Sequence, residues 1–279
     1  MQVGVVGLGL IGSSMARALK AYTAHRVLGL DIQENIMETA LADGAIDGRL
    51  TDEALADCDV LLIALYPAAA VRYVKERLQY LNRKTLVLDL CGVKEAVAVP
   101  LTALAKAEGF RYIGGHPMAG TERTGYFNGR ADLFQGASMI LIPCCTDEAG
   151  VTLAAELMTE IGFSRITPST IEAHDRIIAY TSQLAHVVSN AYVKSPTALL
   201  HHGFSAGSYR DLTRVAWLNE DMWTELFLDN RSALTEEIDG LIERLKAYRD
   251  AIAGGERETL HTLLKEGRER KERIDRKNL

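Results

Sequence analysis

The sequence predicts an α/β N-terminal domain with a doubly wound, mostly parallel sheet, followed by an all-α C-terminal domain. In the first half, short runs rich in Val, Leu and Ile alternate with amphipathic stretches, as buried parallel strands alternate with crossover helices. A glycine-rich turn follows the first apolar run. Beyond Pro168 the apolar residues recur at helical spacing. We therefore expect one domain over residues 1–167 and a second over residues 168–279.

The elements of the first domain follow from run length and periodicity. Each early apolar run spans four to six residues, as expected for strands that are covered on both faces. The predicted strands are Gln2–Val6, Val27–Leu30, Val60–Leu65, Thr85–Leu90, Tyr112–Gly115 and Ser138–Ile142. The predicted crossover helices are Ser13–Tyr22, Gln33–Asp43 and Ala69–Leu81.

The second domain contains two long periodic stretches and a charged tail. Ile171–Val193 predicts one helix that ends before Pro196, because proline disfavours helix at the residue before it. Leu218–Ile252 predicts a second helix, which two glycines close. The tail, Glu256–Leu279, alternates acidic and basic residues and predicts a solvated helix with i,i+4 ion pairs. Helices this long need a cover for their apolar faces, so we expect a homodimer formed through this domain.

Composition narrows the classes of partner and the location. The formal net charge is -6, from 31 Lys and Arg against 37 Asp and Glu, so nothing favours nucleic acid or an anionic membrane. No basic residue precedes the apolar Val3–Ile11 run, and no run reaches the roughly 20 residues that span a bilayer. We therefore expect a cytoplasmic protein. The cysteines form no Cys-x-x-Cys pair and have no histidine at ligand spacing, so no metal site is expected.

The glycine-rich turn has the spacing of a dinucleotide-binding site. Gly7 permits the tight turn, Gly9 lets the backbone approach a pyrophosphate, and Gly12 allows the helix to pack closely on the strand. Asp31 ends the next strand, where a carboxylate accepts from both ribose hydroxyls and repels a 2′-phosphate. A Rossmann domain that binds NAD rather than NADP is predicted; the alternative is a turn that binds nothing. The expected cofactor-binding residues are Gly7, Gly9, Leu10, Ile11, Gly12 and Asp31.

A histidine between glycines is the first candidate for chemistry. His116 lies in the segment 114–122, directly after a predicted strand. Loops at this position often carry function, and a general base there contributes about 10²–10⁴-fold to a rate. His116 could take the proton of a substrate hydroxyl while hydride leaves the same carbon. A structural histidine is the alternative.

Two further constellations lie in the helical half. Asp175, Ser182 and His186 share one face of the first long predicted helix, either lining a cleft or forming an ordinary solvated stripe. Arg210 and Arg214 lie four positions apart, and the planar guanidinium suits a substrate carboxylate. Ion pairs at the surface are the alternative for the two arginines.

Five segments share, in order along the chain, the pattern of one known family. They are Gly7–Gly12, Asp89–Lys94, His116–Glu122, Ser182–His186 and Asp211–Arg214. Over essentially its whole length the chain resembles the prephenate/arogenate dehydrogenases of tyrosine biosynthesis, and prephenate dehydrogenase in particular. The resemblance implies that prephenate is oxidised and decarboxylated to 4-hydroxyphenylpyruvate with NAD as cofactor.

The resemblance also implies a role for each candidate residue. His116 would accept a hydrogen bond from the ring hydroxyl of the substrate, with Ser182 and His186 beside it in the catalytic site. Arg214 would hold a substrate carboxylate, and Lys94 would belong to the cofactor site. Further matches to substrate-site positions are Thr121, Glu122, Asp175, Trp223 and Gly207, the last of which would reach the partner subunit's site.

Two departures from the family pattern leave alternatives open. Gly92 stands where relatives often carry serine, and Gln183 stands where they often carry histidine. Arogenate dehydrogenase is therefore the first alternative, and a β-hydroxyacid dehydrogenase or a non-catalytic NAD sensor is a weaker one. Because the sequence ends soon after the helical region, neither a regulatory ACT domain nor a fused chorismate mutase is expected.

Overall fold

A computed structural model describes residues 1–121 and 123–277, and it confirms the doubly wound, mostly parallel sheet. The strands in these residues are β1 (Gln2–Val6), β2 (Arg26–Leu30), β3 (Gly48–Arg49), β4 (Val60–Ile63), β5 (Leu86–Asp89), β6 (Arg111–Pro117), β7 (Ser138–Cys145) and β8 (Arg165–Pro168). They form one sheet in the order β3-β2-β1-β4-β5-β6-β7-β8. Only the pair β6 and β7 is antiparallel among these described strands.

Helices cover the sheet and form all the regular structure that follows β8 in the described residues. They are α1 (Leu10–Tyr22), α2 (Glu34–Ala42), α3 (Asp52–Leu55), α4 (Pro67–Glu76), α5 (Glu95–Glu108), α6 (Glu148–Glu160), α7 (Ile171–Ile178), α8 (Leu184–Tyr192), α9 (Gly207–Thr213), α10 (Glu220–Asp229), α11 (Arg231–Ala253) and α12 (Arg257–Lys277). A π-helical segment, Ala179–Gln183, joins α7 to α8. Short 3₁₀ turns cover Leu78–Tyr80, Tyr126–Asn128, Pro196–Leu200 and Arg214–Ala216. The chain divides into two compact units, residues 1–230 and residues 231–279.

The continuous apolar runs of the strands reflect burial on both faces of the sheet. In β4, Leu62 packs into the core on one face together with Leu88 of β5. Its neighbours Leu61 and Ile63 pack into the core on the other face, together with Val87. None of these side chains has exposed area. Because successive residues of a strand point to opposite faces, a strand with two covered faces is apolar at every position.

The carboxyl ends of the parallel strands meet at one edge of the sheet. Val6 at the end of β1 is in register with Leu30 of β2 on one side and with Ile63 of β4 on the other. The strand order therefore reverses direction beside β1. In open α/β sheets, ligands bind outside the carboxyl ends of the strands at such a switch point.

Two strands and one reversal of direction were not predicted. The sequence indicated neither β3 nor β8, and β7 runs antiparallel to β6. Parallel strands need a crossover helix between them. The described residues between β6 and β7 contain only the 3₁₀ turn Tyr126–Asn128, so this connection returns the chain along the neighbouring strand.

The first predicted long helix is continuous through its π-helical segment, whereas the second is broken. α10 ends at Asp229 and α11 begins at Arg231, with non-helical φ and ψ of -115° and 31° at Asn230. The side chain of Asn230 donates to the Asp175 carbonyl at 2.9 Å and to Gln183 Oε1 at 2.7 Å. These tertiary bonds explain why periodicity alone did not reveal the break.

The second unit consists of α11 and α12. Tyr248 of α11 donates to the Leu263 carbonyl of α12 at 3.1 Å. The predicted i,i+4 ion pairs of the tail are confirmed, and they are Lys265–Glu269, Arg268–Glu272 and Lys271–Asp275. Each such exposed pair contributes about 0.3–0.5 kcal/mol. Across residues 1–121 and 123–277, no helix is both long enough and apolar enough to cross a membrane.

Candidate active site

The turn after β1 is shaped for close approach of a phosphate. Gly7 has a φ of +84°, and a Cβ on it would lie 2.5 Å from the Ala64 carbonyl oxygen, so only glycine fits. A Cβ on Gly12 would lie 1.7 Å from the Gly7 carbonyl oxygen, whereas a Cβ on Gly9 would have nothing within 4 Å. No side chain caps the start of α1, where Leu10–Ile11 form the first turn. Open space and free N–H groups at a helix start fit a pyrophosphate.

The carboxylate of Asp31 is fixed beside this turn. Its Oδ2 accepts from the backbone N–H of Leu8 at 2.8 Å, and its Oδ1 accepts from that of Gln33 at 2.9 Å. Each carboxylate oxygen can accept a second hydrogen bond. Asp31 is half-buried, so these remaining positions suit the ribose hydroxyls of a dinucleotide. No group of three or more His, Cys, Asp or Glu in the described part of the chain is arranged to hold a metal ion.

His116 stands at the same edge of the sheet. It lies two residues beyond Gly114, the last residue of β6 that pairs with β5. Its Nδ1 lies 2.9 Å from Nε2 of His174, and its own Nε2 lies 3.9 Å from the position of a Cβ on Gly92. Burial, with smaller contributions from His174 and Lys94, holds the pKa of His116 well below its usual value. A neutral imidazole at pH 7 can accept a proton.

His174 was not predicted as a site residue, yet it is buried and contacts His116 directly. Thr170 begins α7 by accepting from the Ala173 N–H at 3.2 Å, and so sets the position of the next helical turn. No spacing pattern joins His174 to His116, because 58 positions separate them. The available signal was its place directly before Asp175.

The carboxylate of Asp175 is bound on both oxygens by groups of the chain itself. Its Oδ1 lies 2.7 Å from Nδ1 of His174 and accepts from the backbone N–H of Lys94 at 2.8 Å. Its Oδ2 accepts from the backbone N–H of Glu95 at 2.8 Å, so Asp175 caps the start of α5. The carboxylate is buried and already accepts these bonds, and its expected substrate-binding role stays a prediction.

Lys94 is buried beside the same loop. Its ammonium is fully buried, where it donates to Asp89 Oδ1 and, at 2.6 Å, to the Gly115 carbonyl. Tyr112 donates to the other oxygen of Asp89 at 2.7 Å. Lys94 therefore ties the end of β5 to the backbone of the residue before His116. Its expected part in the cofactor site stays a prediction.

A second cluster surrounds His186. Its Nδ1 donates to the Ser182 carbonyl at 2.9 Å, and its ring stacks on Trp223 with centroids 3.9 Å apart. Burial and the positive charge of Arg214 lower the pKa of His186, although the bond to Ser182 opposes them. Ser182 belongs to the π-helical segment, a feature that is frequent at functional sites.

Helix α10 connects the two clusters. Trp223 of this helix stacks on His186. Leu226, one turn later, lies 3.7 Å from the position of a Cβ on Gly92, and Nε2 of His116 lies 3.9 Å from the same position. Gln183 fixes this helix, because its Nε2 donates to the Leu226 carbonyl at 2.9 Å. Gln183 is buried and its Oε1 accepts from Asn230. His186 and Gly92, the residue beside Nε2 of His116, therefore lie close to successive turns of one helix.

The remaining candidate residues lie at the surface or outside the described residues. Thr121 is exposed and accepts from the Arg123 N–H at 3.3 Å, and Glu122 is not among the described residues. Gly207 begins α9, and a Cβ on it would have nothing within 4 Å. Arg210 lines an open cavity of about 380 Å³ with His201, Tyr209 and their neighbours.

Comparisons with known proteins agree along the chain. Residues 15–167 match the family described as prephenate dehydrogenase, nucleotide-binding domain, and residues 170–266 match prephenate dehydrogenase, dimerization domain. Cyclohexadienyl dehydrogenase of Zymomonas mobilis is 34% identical, over 90% of this chain and 88% of its own. Synechocystis arogenate dehydrogenase is 26% identical with a TM-score of 0.83, over 98% of this chain and 100% of its own.

A third relative was solved with bound molecules. Prephenate dehydrogenase from A. aeolicus, in complex with hydroxyphenyl propionate and NAD+, is 26% identical with a TM-score of 0.85 over 98% of both chains. The nucleotide-binding match begins at residue 15, after the glycine-rich turn, and covers β2 to β7. The dimerization match covers the residues that include His174, His186 and Arg214. This chain belongs to the prephenate dehydrogenase family.

Proposed function

We propose that this enzyme oxidises and decarboxylates prephenate to 4-hydroxyphenylpyruvate with NAD, as a step of tyrosine biosynthesis. The observation that supports this best concerns two imidazoles near successive turns of α10. His116 lies on the Gly92 side of Leu226, and His186, whose pKa is lowered by burial and by the charge of Arg214, stacks on Trp223. Both lie in the unit whose sheet edge bears the glycine-rich turn. Prephenate offers a hydroxyl for the first group and carboxylates for the second.

The N-terminal residues account for cofactor binding. The turn Gly7–Gly12 would hold a pyrophosphate against the start of α1, and Asp31 would accept from the ribose hydroxyls. NAD, when bound, supplies the acceptor for a hydride. The carboxylate of Asp31 disfavours a 2′-phosphate by charge repulsion, so NADP is a poorer cofactor in this proposal.

His116 would carry the proton chemistry. Its Nε2 accepts the ring hydroxyl proton of prephenate as hydride leaves the carbon that bears the hydroxyl. The carboxylate on the opposite ring carbon departs as carbon dioxide, and its bonding electrons complete the aromatic ring. The proton then returns from His116 to the ring oxygen, which gives the phenol of the product. Formation of the aromatic ring supplies the driving force.

The second cluster would position the substrate. Arg214 pairs with a carboxylate of prephenate by charge-assisted hydrogen bonds, which are stronger than neutral ones. His186 and Ser182 line the same part of the site, with Trp223 packing on the imidazole. Thr121, Glu122 and Gly207 complete the site in this proposal, Gly207 from the partner subunit. Asp175 and Lys94 act indirectly, by holding the loop that follows β5.

Arogenate is the second candidate substrate, because it differs from prephenate only by an amino group in place of the side-chain keto group. The departure at Gln183 does not decide between them. Its amide is buried and bonds to Leu226 and Asn230, so Gln183 supports α10.

The activity is tested by mixing the protein with NAD and prephenate, and separately with arogenate, and following NADH absorbance. We expect turnover with prephenate, and a fall of about 10²–10⁴-fold in kcat for His116→Asn with folding intact. His25→Asn is the matched control, since His25 is a partly exposed histidine whose partner is Glu160. Turnover with arogenate alone would reassign the substrate, and no turnover with either would refute the proposal.

The proposal extends to assembly. We assign residues 1–167 to NAD binding and residues 168–279 to substrate binding and to a homodimer in the cytoplasm. The dimerization-domain match over residues 170–266 supports the homodimer. Sedimentation of the full chain at micromolar concentration tests it, and a monomer there would contradict it.

A further inference from the structure

A chain of hydrogen bonds connects the candidate base to a buried carboxylate. Nδ1 of His116 lies 2.9 Å from Nε2 of His174, and Nδ1 of His174 lies 2.7 Å from Oδ1 of Asp175. The side chain of His174 has no exposed area, so water does not compete for either of its nitrogens. The direction of each hydrogen bond therefore depends on the direction of the other.

The direction of these bonds follows from the carboxylate. Asp175 accepts from the backbone N–H groups of Lys94 and Glu95, and a carboxylate is an acceptor of hydrogen bonds. The hydrogen between Asp175 and His174 must then sit on Nδ1 of His174. A neutral His174 is left with a lone pair on Nε2, so Nδ1 of His116 must be the donor in the next bond. His116 is consequently left with its lone pair on Nε2, the nitrogen on the Gly92 side.

We propose that His174 is a positioning residue that, with Asp175, fixes His116 in the Nδ1–H tautomer and so presents Nε2 as the base. The use of that base rests on the proposed function, whereas the tautomer itself does not. The second ring nitrogen of a functional histidine is commonly fixed by a hydrogen bond of this kind. In serine-protease triads, loss of the orienting acid leaves the histidine in the wrong tautomer and costs about 10⁴-fold in rate.

A structural role for His174 makes a different prediction. A buried ring that only fills space could be replaced by Phe with little change in the His116 tautomer. Positioning requires instead an acceptor where Nε2 of His174 now lies. Gln fulfils this requirement, because its Oε1 is as many bonds from Cγ as Nε2 of histidine is. Phe offers no acceptor and leaves the His116 N–H without a partner.

The tautomer is measured directly by ¹⁵N NMR of the full-length protein labelled on its histidine rings, with His116→Gln to assign the signals. In the wild type we expect His116 to be neutral at pH 7.5, with a protonated Nδ1 and an unprotonated Nε2. An Nε2–H tautomer for His116 in the wild type overturns the proposal, whatever the variants do.

Kinetics of His174→Phe and His174→Gln give the second readout. We expect kcat to fall by about 10²-fold or more in His174→Phe, with KM changed less than threefold, because orientation of the base is lost. His174→Gln should keep kcat within about tenfold of the wild type and retain the Nδ1–H signal of His116. Equal rates for the two folded variants contradict positioning. Should His174→Phe not fold, the wild-type spectrum and His174→Gln still decide.

The outcomes separate this proposal from the proposed function. If the wild type oxidises prephenate but carries Nε2–H on His116, the proposed function stands and the proposed tautomer is wrong. If it carries Nδ1–H on His116 but oxidises neither substrate, the tautomer stands and the proposed function is wrong. His25→Gln, which removes a histidine with an acidic partner outside the site, is expected to change neither readout.

Discussion

Gly92→Ser is expected to increase activity. The φ of Gly92 lies outside the left-handed region, and a Cβ there would meet Leu226 at 3.7 Å and Nε2 of His116 at 3.9 Å, both ordinary van der Waals distances. A serine therefore fits without strain, and its Oγ, about one bond further out, reaches the space where His116 would meet the substrate hydroxyl. One added neutral hydrogen bond contributes about 0.5–1.5 kcal/mol, which corresponds to about 2- to 13-fold in kcat/KM.

The control for this prediction is Gly92→Ala, which adds the Cβ without the hydroxyl. Both substitutions reduce the entropy of the unfolded chain, so both are expected to raise the free energy of unfolding by about 0.4–1 kcal/mol, measured by urea denaturation. Only the serine should raise kcat/KM for prephenate, measured from initial rates of NADH formation. Equal rates for Ser and Ala, or a lower rate for Ser, would refute the placement of Gly92 beside the reacting hydroxyl.

Three further predictions concern the charged groups. Arg214→Ala should raise KM for prephenate by about 10- to 160-fold, because it loses a charge-assisted hydrogen bond of about 1.5–3 kcal/mol. Arg130→Ala, at an exposed arginine, is the control and should leave KM unchanged. An unchanged KM in Arg214→Ala would contradict the role of Arg214 in binding a substrate carboxylate. Asp31→Ala should weaken NADH binding, measured by fluorescence titration, and should bring the dissociation constants for NADH and NADPH closer together. An unaltered ratio of these two constants would disprove the contact between Asp31 and the ribose. Burial holds the pKa of His116 below that of the unfolded chain, so the unfolded state binds more protons in acid. The free energy of unfolding should therefore decline as pH falls below about 6.5, and less so in His116→Asn, which urea denaturation at pH 5 and pH 7.5 would compare.

The fold was predictable because its signals are local. Apolar runs such as Val60–Leu65 and the glycine spacing of Gly7–Gly12 depend on neighbours in the sequence, and the structure confirms the strand and the turn. The reversal at β7 and the break at Asn230 depend on partners far along the chain. Periodicity does not contain that information, so neither was predicted.

The residues of the site also differ in whether a local signal reveals them. His116 could be singled out because glycines flank it after a strand, but His174 acts through a contact 58 positions away. Asp175 and Lys94 also depend on distant contacts. The resemblance implied ligand binding for both, and the structure shows Asp175 capping α5 and Lys94 joining the end of β5 to the Gly115 carbonyl. Residue type indicates which chemistry is available, and only burial decides whether a ligand can reach it.

The same buried contacts also determine which parts of the chain can move apart. His174 and Asp175 of α7 form hydrogen bonds to β6 and to the start of α5. Asn230, which follows α10, donates to the Asp175 carbonyl and so connects α10 to α7. The compact unit that these bonds hold together runs to Asn230 and therefore spans the expected domain boundary at residue 167. Opening the chain at that boundary would break the bonds to the Asp175 carboxylate, at about 1.5–3 kcal/mol each, and would release the tautomer of His116. Substrate exchange is consequently expected to proceed without a hinge between the sheet and α7, because such a hinge would disassemble the base in every cycle.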